Sequence, residues 1–361
     1  MSGVLDLARP DLRRLRPYVP GAYQANSIRL NANESPWRLP GDSTERGLNV
    51  YPPPRPTALV TALAAWWGAA EAQLLVTRGS SEAIDILIRG FCTAGRDRIV
   101  VCPPTFDMYR LYASIQGAGL CQVPLLKERD FAIDVEAVLA AVDGNTKIVF
   151  ICSPNNPTGN SIARDAIERI CTELSGRALV VIDEAYHEFS DGESLLGLRE
   201  RHEHVALLRT LSKCVSLAGA RCGALLAAPE VIEFLGNVLP PYTFPTPSIE
   251  LVLQALTEDS LRVSTERIVL VKRERQRLAD ALLDVPDVVK VYPSDANFLL
   301  VETRNGPRFA ETANRAGVLI RRFAAEPMLA NSVRITVGRP QDNDRLLQAL
   351  SGATFEPEAG Q

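Results

Sequence analysis

The sequence lacks any apolar run long enough to span a membrane. Its opening, MSGVLDLARPDLRRLRPY, holds no stretch suited to a signal peptide. A cytoplasmic protein without membrane association is the expectation. A strong charge bias is missing too: the net charge is -4, so no basic excess draws the chain to nucleic acid. The seven cysteines (Cys92, Cys102, Cys121, Cys152, Cys171, Cys214, Cys222) are odd in number and form no Cys-x-x-Cys pair. Buried, reduced thiols are expected rather than a disulfide framework. No internal repeat or low-complexity tract occurs. No Gly-x-Gly-x-x-Gly turn follows a strand candidate, which argues against a nicotinamide enzyme.

What is present is an ordinary globular composition, 46% apolar and 23% charged over 361 residues. That length exceeds one ordinary core and predicts a large and a small domain. Short apolar runs at Leu74–Thr77, Arg98–Cys102, Lys147–Cys152, Ala178–Asp183 and Val205–Arg209 read as buried parallel strands. Arg221–Ala227 reads as one more, of open direction. Glu82–Cys92 sets Ile84, Leu87, Ile88 and Phe91 on one helical face, and Ile162–Leu174 repeats the pattern. Strand, helix, strand at this spacing predicts an α/β fold with a doubly wound, mostly parallel sheet.

The prolines of Pro240–Pro247 interrupt regular structure. Beyond them the pattern predicts one long helix from about Ser248 to Leu283. Strands at Val288–Tyr292, Asn297–Glu302, Val318–Arg321 and Ser332–Val337 follow, joined by helices at Pro307–Ala316 and Gln341–Leu350. The expected organisation is therefore residues 31–247 as a large cofactor-binding domain and 248–361 as a smaller α+β domain. Residues 1–30 are expected to pack on the small domain, and the final TFEPEAGQ to fray.

In an open parallel sheet, ligands collect at the carboxyl ends of the strands. Here those ends carry Arg78-Gly79-Ser80-Ser81, Pro103–Phe106, Ser153–Gly159, Asp183–Tyr186 and Thr210–Lys213. Lys213 could form a Schiff base with an aldehyde if its pKa is depressed. Asp183 closes an apolar run, where a carboxylate needs a cation; a helix cap or a buried arginine pair would serve as well. Ser80 and Ser81 open a helix and suit a phosphate, or an ordinary cap. His202 and His204 have a metal-like spacing but lie in a charged stretch, and a solvated loop is expected. His187 is expected to pack near the site without a catalytic role. Trp66 and Trp67 fit a helix core or a dimer contact.

The set SPNNPTG, DEAY, TLSK and the arginine of GARCG resembles the fold-type-I aminotransferases, in that family's order and rough spacing. LNANESP, VYPPPRP, TRGSSEAIDILIRGFC, CPPTFDMY and VRITVG narrow the resemblance to the histidinol-phosphate aminotransferases, over about Leu5 to Leu350. The resemblance implies pyridoxal 5'-phosphate, carried by Lys213, which also shuttles a proton. It implies Asp183 on the pyridine nitrogen, Asn156 and Tyr186 on the ring oxygen, and Phe106 stacked on the ring, where relatives often have tyrosine. Ser80, Ser81, Thr210, Ser212 and Arg221 would hold the cofactor phosphate. Tyr51 would reach it from a second subunit, which implies a homodimer with shared sites. Arg334, Arg321 and Tyr18 would bind the substrate anions of histidinol phosphate and of 2-oxoglutarate or glutamate. The alternatives are an aromatic amino acid aminotransferase, an enzyme like threonine-phosphate decarboxylase, and a degenerate relative that only binds.

Overall fold

The computed structural model describes residues 3–16, 18–19, 21 and 27–352. The frayed end expected at 354–361 lies outside them. Seven strands form the main sheet: β1 Leu74–Thr77, β2 Arg98–Val101, β3 Gly119–Gln122, β4 Thr146–Cys152, β5 Leu179–Asp183, β6 Val205–Thr210 and β7 Gly223–Leu226. Their order is β1-β7-β6-β5-β4-β2-β3. β2 to β6 are mutually parallel, while β7 runs antiparallel to both β1 and β6. This settles the open direction of the Arg221–Ala227 run. Residues 211–222 link β6 to β7 with only one helical turn and one 3-10 turn, and no helix long enough to cross the sheet face as parallel connections usually do.

Every residue of β5 and β6 is buried, as expected for central strands covered on both faces. On one face the helix Ser80–Phe91 buries Ile84, Leu87, Ile88 and Phe91 against the sheet, together with Ala83 and Ile86. β3 was not anticipated. It is a partly exposed edge strand of only Gly-Leu-Cys-Gln, with no apolar run to announce it. Trp66 and Trp67 stack at 5.3 Å and pack, partly buried, on the main core.

The smaller sheet is antiparallel throughout. Its strands are β8 Val288–Val291, β9 Phe298–Thr303, β10 Arg321–Arg322 and β11 Ser332–Thr336, in the order β10-β11-β9-β8. β10 is two residues long where a strand over Val318–Arg321 was expected. Leu278, Leu282, Phe309, Leu346 and Leu350 cover this sheet from three helices. The expected single helix over 248–283 is two, Thr246–Ala255 and Glu258–Leu283. Thr257 is extended at the break, and its hydroxyl bonds Gln254 O and Ser260 Oγ, both at 3.0 Å. The apolar period runs on across so short a break, so periodicity alone cannot see it.

The N-terminal segment departs from expectation. Val4 and Ala8 are buried with Ile84 and Leu87 in the core of the main sheet, and Arg9 N–H bonds Gly90 O at 3.0 Å. These residues pack on the large domain because the outer surface of the Ser80–Phe91 helix offers the apolar partners. His204 is a second correction. It is not in a solvated loop but buried, with Nε2 2.8 Å from Cys171 O. Val180 N–H already bonds His204 O, so sheet pairing draws the residue inside before β6 begins. All seven cysteines are free, and only Cys121 is not fully buried. Among the described residues no helix is long and apolar enough to cross a membrane, and no cluster of metal-ligating side chains occurs.

Candidate active site

A cleft of about 1060 Å³ opens at the carboxyl ends of the central strands, with the smaller sheet as its far wall. Asp183 ends β5 at its floor. Its Oδ2 accepts from Tyr109 Oη at 2.8 Å and its Oδ1 from Ala185 N–H at 3.1 Å. Burial pushes the carboxyl up to about 6, against the pull of those two hydrogen bonds. Among the described residues no cation offsets the burial. A buried carboxylate in this state suits a protonated heterocyclic nitrogen.

Lys213 lies on the turn Leu211–Cys214, where the Thr210 hydroxyl accepts from the Ser212 N–H at 3.2 Å. The amine reaches into the cleft, 5.6 Å from the Tyr186 ring centroid. Burial depresses its pKa first, and the charges of Arg334 and Arg221 add to the effect. A neutral amine is the form that attacks an aldehyde.

Asn156 and Tyr186 meet beside it, with Asn156 Nδ2 donating to Tyr186 Oη at 3.3 Å. Arg334, on β11, donates to Asn156 Oδ1. Its guanidinium lies over Phe298 at 5.2 Å and Phe323 at 5.8 Å, and its Nε is buried without a hydrogen-bond partner. Arg321 is the register partner of Arg334 across β10 and β11, so both side chains leave the same face. The pair forms a cationic wall opposite Lys213.

A polar cup closes the other end. The helix that starts at Ser80 points its free N–H groups there. Thr210 Oγ1 donates to Ser212 Oγ at 2.9 Å, and Arg221 Nη1 to Ser212 Oγ at 3.4 Å. Gly79 sits at φ +75, where a Cβ would fall 2.6 Å from Arg221 Nη2. A side chain at that φ would be strained and would push the guanidinium away from the helix start. Hydroxyls, N–H groups and a guanidinium in one concavity fit a phosphate.

Phe106 lines the cleft between cup and floor. The residues brought together are thus Lys213, Asp183, Tyr186, Asn156, Phe106, Ser80, Ser81, Thr210, Ser212, Arg221, Arg334 and Arg321. Tyr18 and Tyr51 do not line this cleft. Tyr18 is exposed, and Tyr51 stacks on Tyr242 with centroids 4.7 Å apart. His187 is partly buried in the turn after Tyr186. Sequence reasoning missed Tyr109, Arg322, Phe323 and Met328. Tyr109 was legible in principle, three residues after Phe106 on the same helix entry; Arg322 ends the two-residue β10, and Phe323 and Met328 follow it on a segment without a pattern.

The model of the family "Aminotransferase class I and II" matches residues 22–350. The histidinol-phosphate aminotransferase of Xanthomonas axonopodis pv. citri is 46% identical, with 97% of each chain covered. That of Stenotrophomonas maltophilia is likewise 46% identical over 97% of each chain. The fold is shared with the histidinol-phosphate aminotransferase of Sinorhizobium meliloti, solved in complex with pyridoxal-5'-phosphate. The TM-score is 0.76 at 24% identity, over 84% of this chain and 82% of that one.

Proposed function

The chain belongs to the class I and II aminotransferase family, and from that premise we propose that it transaminates L-histidinol phosphate. The amino acceptor is 2-oxoglutarate, and the products are imidazole-acetol phosphate and glutamate. The reaction is a step of histidine biosynthesis and uses pyridoxal 5'-phosphate in two alternating half-reactions. One observation carries the reading. A lysine of depressed pKa, a buried carboxylate lacking a cation and a pair of arginines face one cleft. The names of the 46%-identical relatives supply the substrate.

When bound, the cofactor supplies an electron sink that weakens the Cα–H bond of the amino substrate. The protein's residues do the rest. Lys213 attaches the cofactor and, once displaced, carries the proton away from the substrate Cα. Asp183 favours the protonated ring nitrogen, since an opposite charge at contact stabilises the cation. Asn156 and Tyr186 offer hydrogen bonds to the ring oxygen, and Phe106 offers a π face. Ser80, Ser81, Thr210, Ser212 and Arg221 hold the cofactor phosphate. Arg334 and Arg321 bind the phosphate of one substrate and a carboxylate of the other, because a guanidinium fork suits both. Tyr18 is assigned to the same anion.

The working form is proposed to be a cytoplasmic homodimer in which Tyr51 completes the partner's phosphate cup. In support, Ile28 and Leu30 are 91% and 93% exposed, and Trp37 and Leu39 follow them on the surface. Four large apolar side chains this exposed within residues 28–39 fit an interface. Residues 31–247 are proposed as the cofactor-binding domain and 248–361 as the smaller one.

Single-turnover spectroscopy tests the substrate. Histidinol phosphate is expected to discharge the cofactor's absorbance near the visible edge faster than phenylalanine does. Equal or reversed rates would remove the histidine-pathway assignment and leave the aminotransferase class standing. Lys213→Ala is expected to abolish turnover even where pyridoxal phosphate still binds.

A further inference from the structure

Only one side chain donates to Asp183 among the described residues, and it is Tyr109. The other titratable groups that face Asp183 are Cys152 on β4, Glu184 next in the chain, and Tyr186 beyond the turn. Burial pushes the Cys152 thiol and the Tyr186 phenol up, so both are neutral near pH 7. Glu184 is engaged elsewhere, by Arg209 at 2.7 Å. Among the described side chains Tyr109 therefore has no competitor for stabilising the Asp183 charge, a task it shares only with the Ala185 backbone N–H.

The ring of Tyr109 is fixed from two sides. It enters the first turn of the helix Met108–Gln116 and is 1% exposed. Phe150 of β4 stacks on it at 4.6 Å and 13°, and Phe106 meets its plane edge-on at 5.7 Å and 87°. A phenylalanine would satisfy that packing. The hydroxyl adds a buried polar group, which costs free energy unless a partner uses it. The partner is Asp183 Oδ2, at 2.8 Å. Burial and the adjacent carboxylate hold the phenol well above its ordinary pKa, so it remains a donor. With Tyr109 on Oδ2 and Ala185 N–H on Oδ1, the carboxylate plane is set from both oxygens. Each oxygen keeps a further lone pair for a ligand in the cleft.

We propose that Tyr109 is a positioning residue for the reaction: its hydroxyl keeps Asp183 ionised and aimed, so that the shared proton resides on the cofactor's ring nitrogen. This rests on the cofactor placement proposed above. A hydrogen bond to the charged form favours that form. Without it, the proton shifts from the ring to the carboxyl, and the ring withdraws electrons less well.

Two measurements on Tyr109→Phe test this. The first is the infrared titration of the Asp183 carboxyl in the apoprotein, assigned by subtraction of Asp183→Asn. Its midpoint is expected to rise by about one pH unit when the hydroxyl is removed. The second is the 15N shift of ring-labelled pyridoxal phosphate bound at pH 7.5. It is expected to report a pyridinium in the wild type and to move toward the neutral value in the variant. Phe150→Leu disturbs the packing but keeps the hydroxyl, and is expected to change neither readout. Should Tyr109→Phe not fold, 3-fluorotyrosine at position 109, a stronger donor, must lower the carboxyl midpoint. Unchanged readouts in Tyr109→Phe, an unmoved midpoint with fluorotyrosine, or equal changes in Phe150→Leu would overturn the proposal. A neutral ring nitrogen in the wild type would instead overturn the cofactor placement, while the apoprotein titration still decides the role of Tyr109.

Discussion

Arg334 donates to Asn156 Oδ1, and the Asn156 amide nitrogen reaches the Tyr186 hydroxyl at 3.3 Å. The anion site on β11 and the pair assigned to the cofactor's ring oxygen are therefore one hydrogen-bonded chain. Arg334 also faces Lys213, where its charge helps to depress the amine's pKa. On the roles proposed above, an anion arriving at Arg334 would change the surroundings of both Lys213 and the Asn156–Tyr186 pair.

Replacement of Arg334 separates these effects. Arg334→Lys keeps the charge but loses the fork, and KM for both substrates is expected to rise about 10- to 100-fold. Arg334→Gln also removes the charge. Lys213 then loses one of the causes that lower its pKa, so the acid limb of the pH–rate profile should move to higher pH. Steady-state kinetics of the two variants across pH would check both. Coincident acid limbs in wild type and Arg334→Gln would break the electrostatic link.

Asp183 predicts a dependence of apoprotein stability on pH. Its pKa rises on folding from 3.8 to about 6. The folded state then binds more protons than the unfolded chain within that window. The contribution is fully present below 3.8 and is lost as pH rises through about 6. The ionised group should cost the apoprotein ~3 kcal/mol at pH 8, at about 1.4 kcal/mol per pKa unit. Asp183→Asn is therefore expected to melt at a higher temperature than wild type at pH 8, with the gap closing toward pH 4. Pyridoxal phosphate should erase the difference, since its ring nitrogen supplies the missing cation. Melting curves of both apoproteins from pH 4 to 8 are the measurement. A gap that does not change with pH would mean that Asp183 is not ionised in the fold.

Much of this site was legible because parallel strands expose their ends. Asp183 closes an unbroken apolar run, and Thr210 and Lys213 come just after the mostly apolar run Val205–Arg209, so strand and site residue were read together. Arg334 and Arg321 came from the resemblance; their shared face follows from a two-residue register that no periodicity could supply. β3 and the break at Thr257 were hidden for a similar reason, being too short to leave a pattern. The N-terminal segment was misassigned because its short apolar pattern, Val4, Leu5, Leu7, Ala8 and Leu12, shows that it packs but not against which domain. Tyr109 escaped notice because a buried aromatic next to a strand reads as core. Only the 2.8 Å contact with Asp183 reveals the use of its hydroxyl.

Phe106 lines the cleft between the polar cup and the Asp183 floor. Its assigned role needs only a ring. Phe106→Ala is expected to weaken pyridoxal phosphate binding about tenfold, the order of one lost aromatic stack. Phe106→Tyr should bind as the wild type does. Fluorescence titration of the apoproteins would measure both. Equal affinity in Phe106→Ala would remove Phe106 from the ring face.

Tyr51 is the residue on which the proposed shared-site dimer turns. It does not line the cleft of its own chain, and its ring is engaged with Tyr242 at 4.7 Å. A role at the phosphate then requires a second subunit to bring it there. Leu30→Asp puts a charge on the exposed apolar segment and is expected to yield monomers in sedimentation, with activity lost in proportion. Subunit mixing is the sharper check. Lys213→Ala lacks the catalytic amine, and Tyr51→Ala lacks the donated phenol. If sites are shared, a hybrid dimer contains one intact site, built from Lys213 of one subunit and Tyr51 of the other. Mixed and reassociated variants should then regain activity that neither parent has. A mixture no more active than the sum of its parents would show that Tyr51 serves no site but its own.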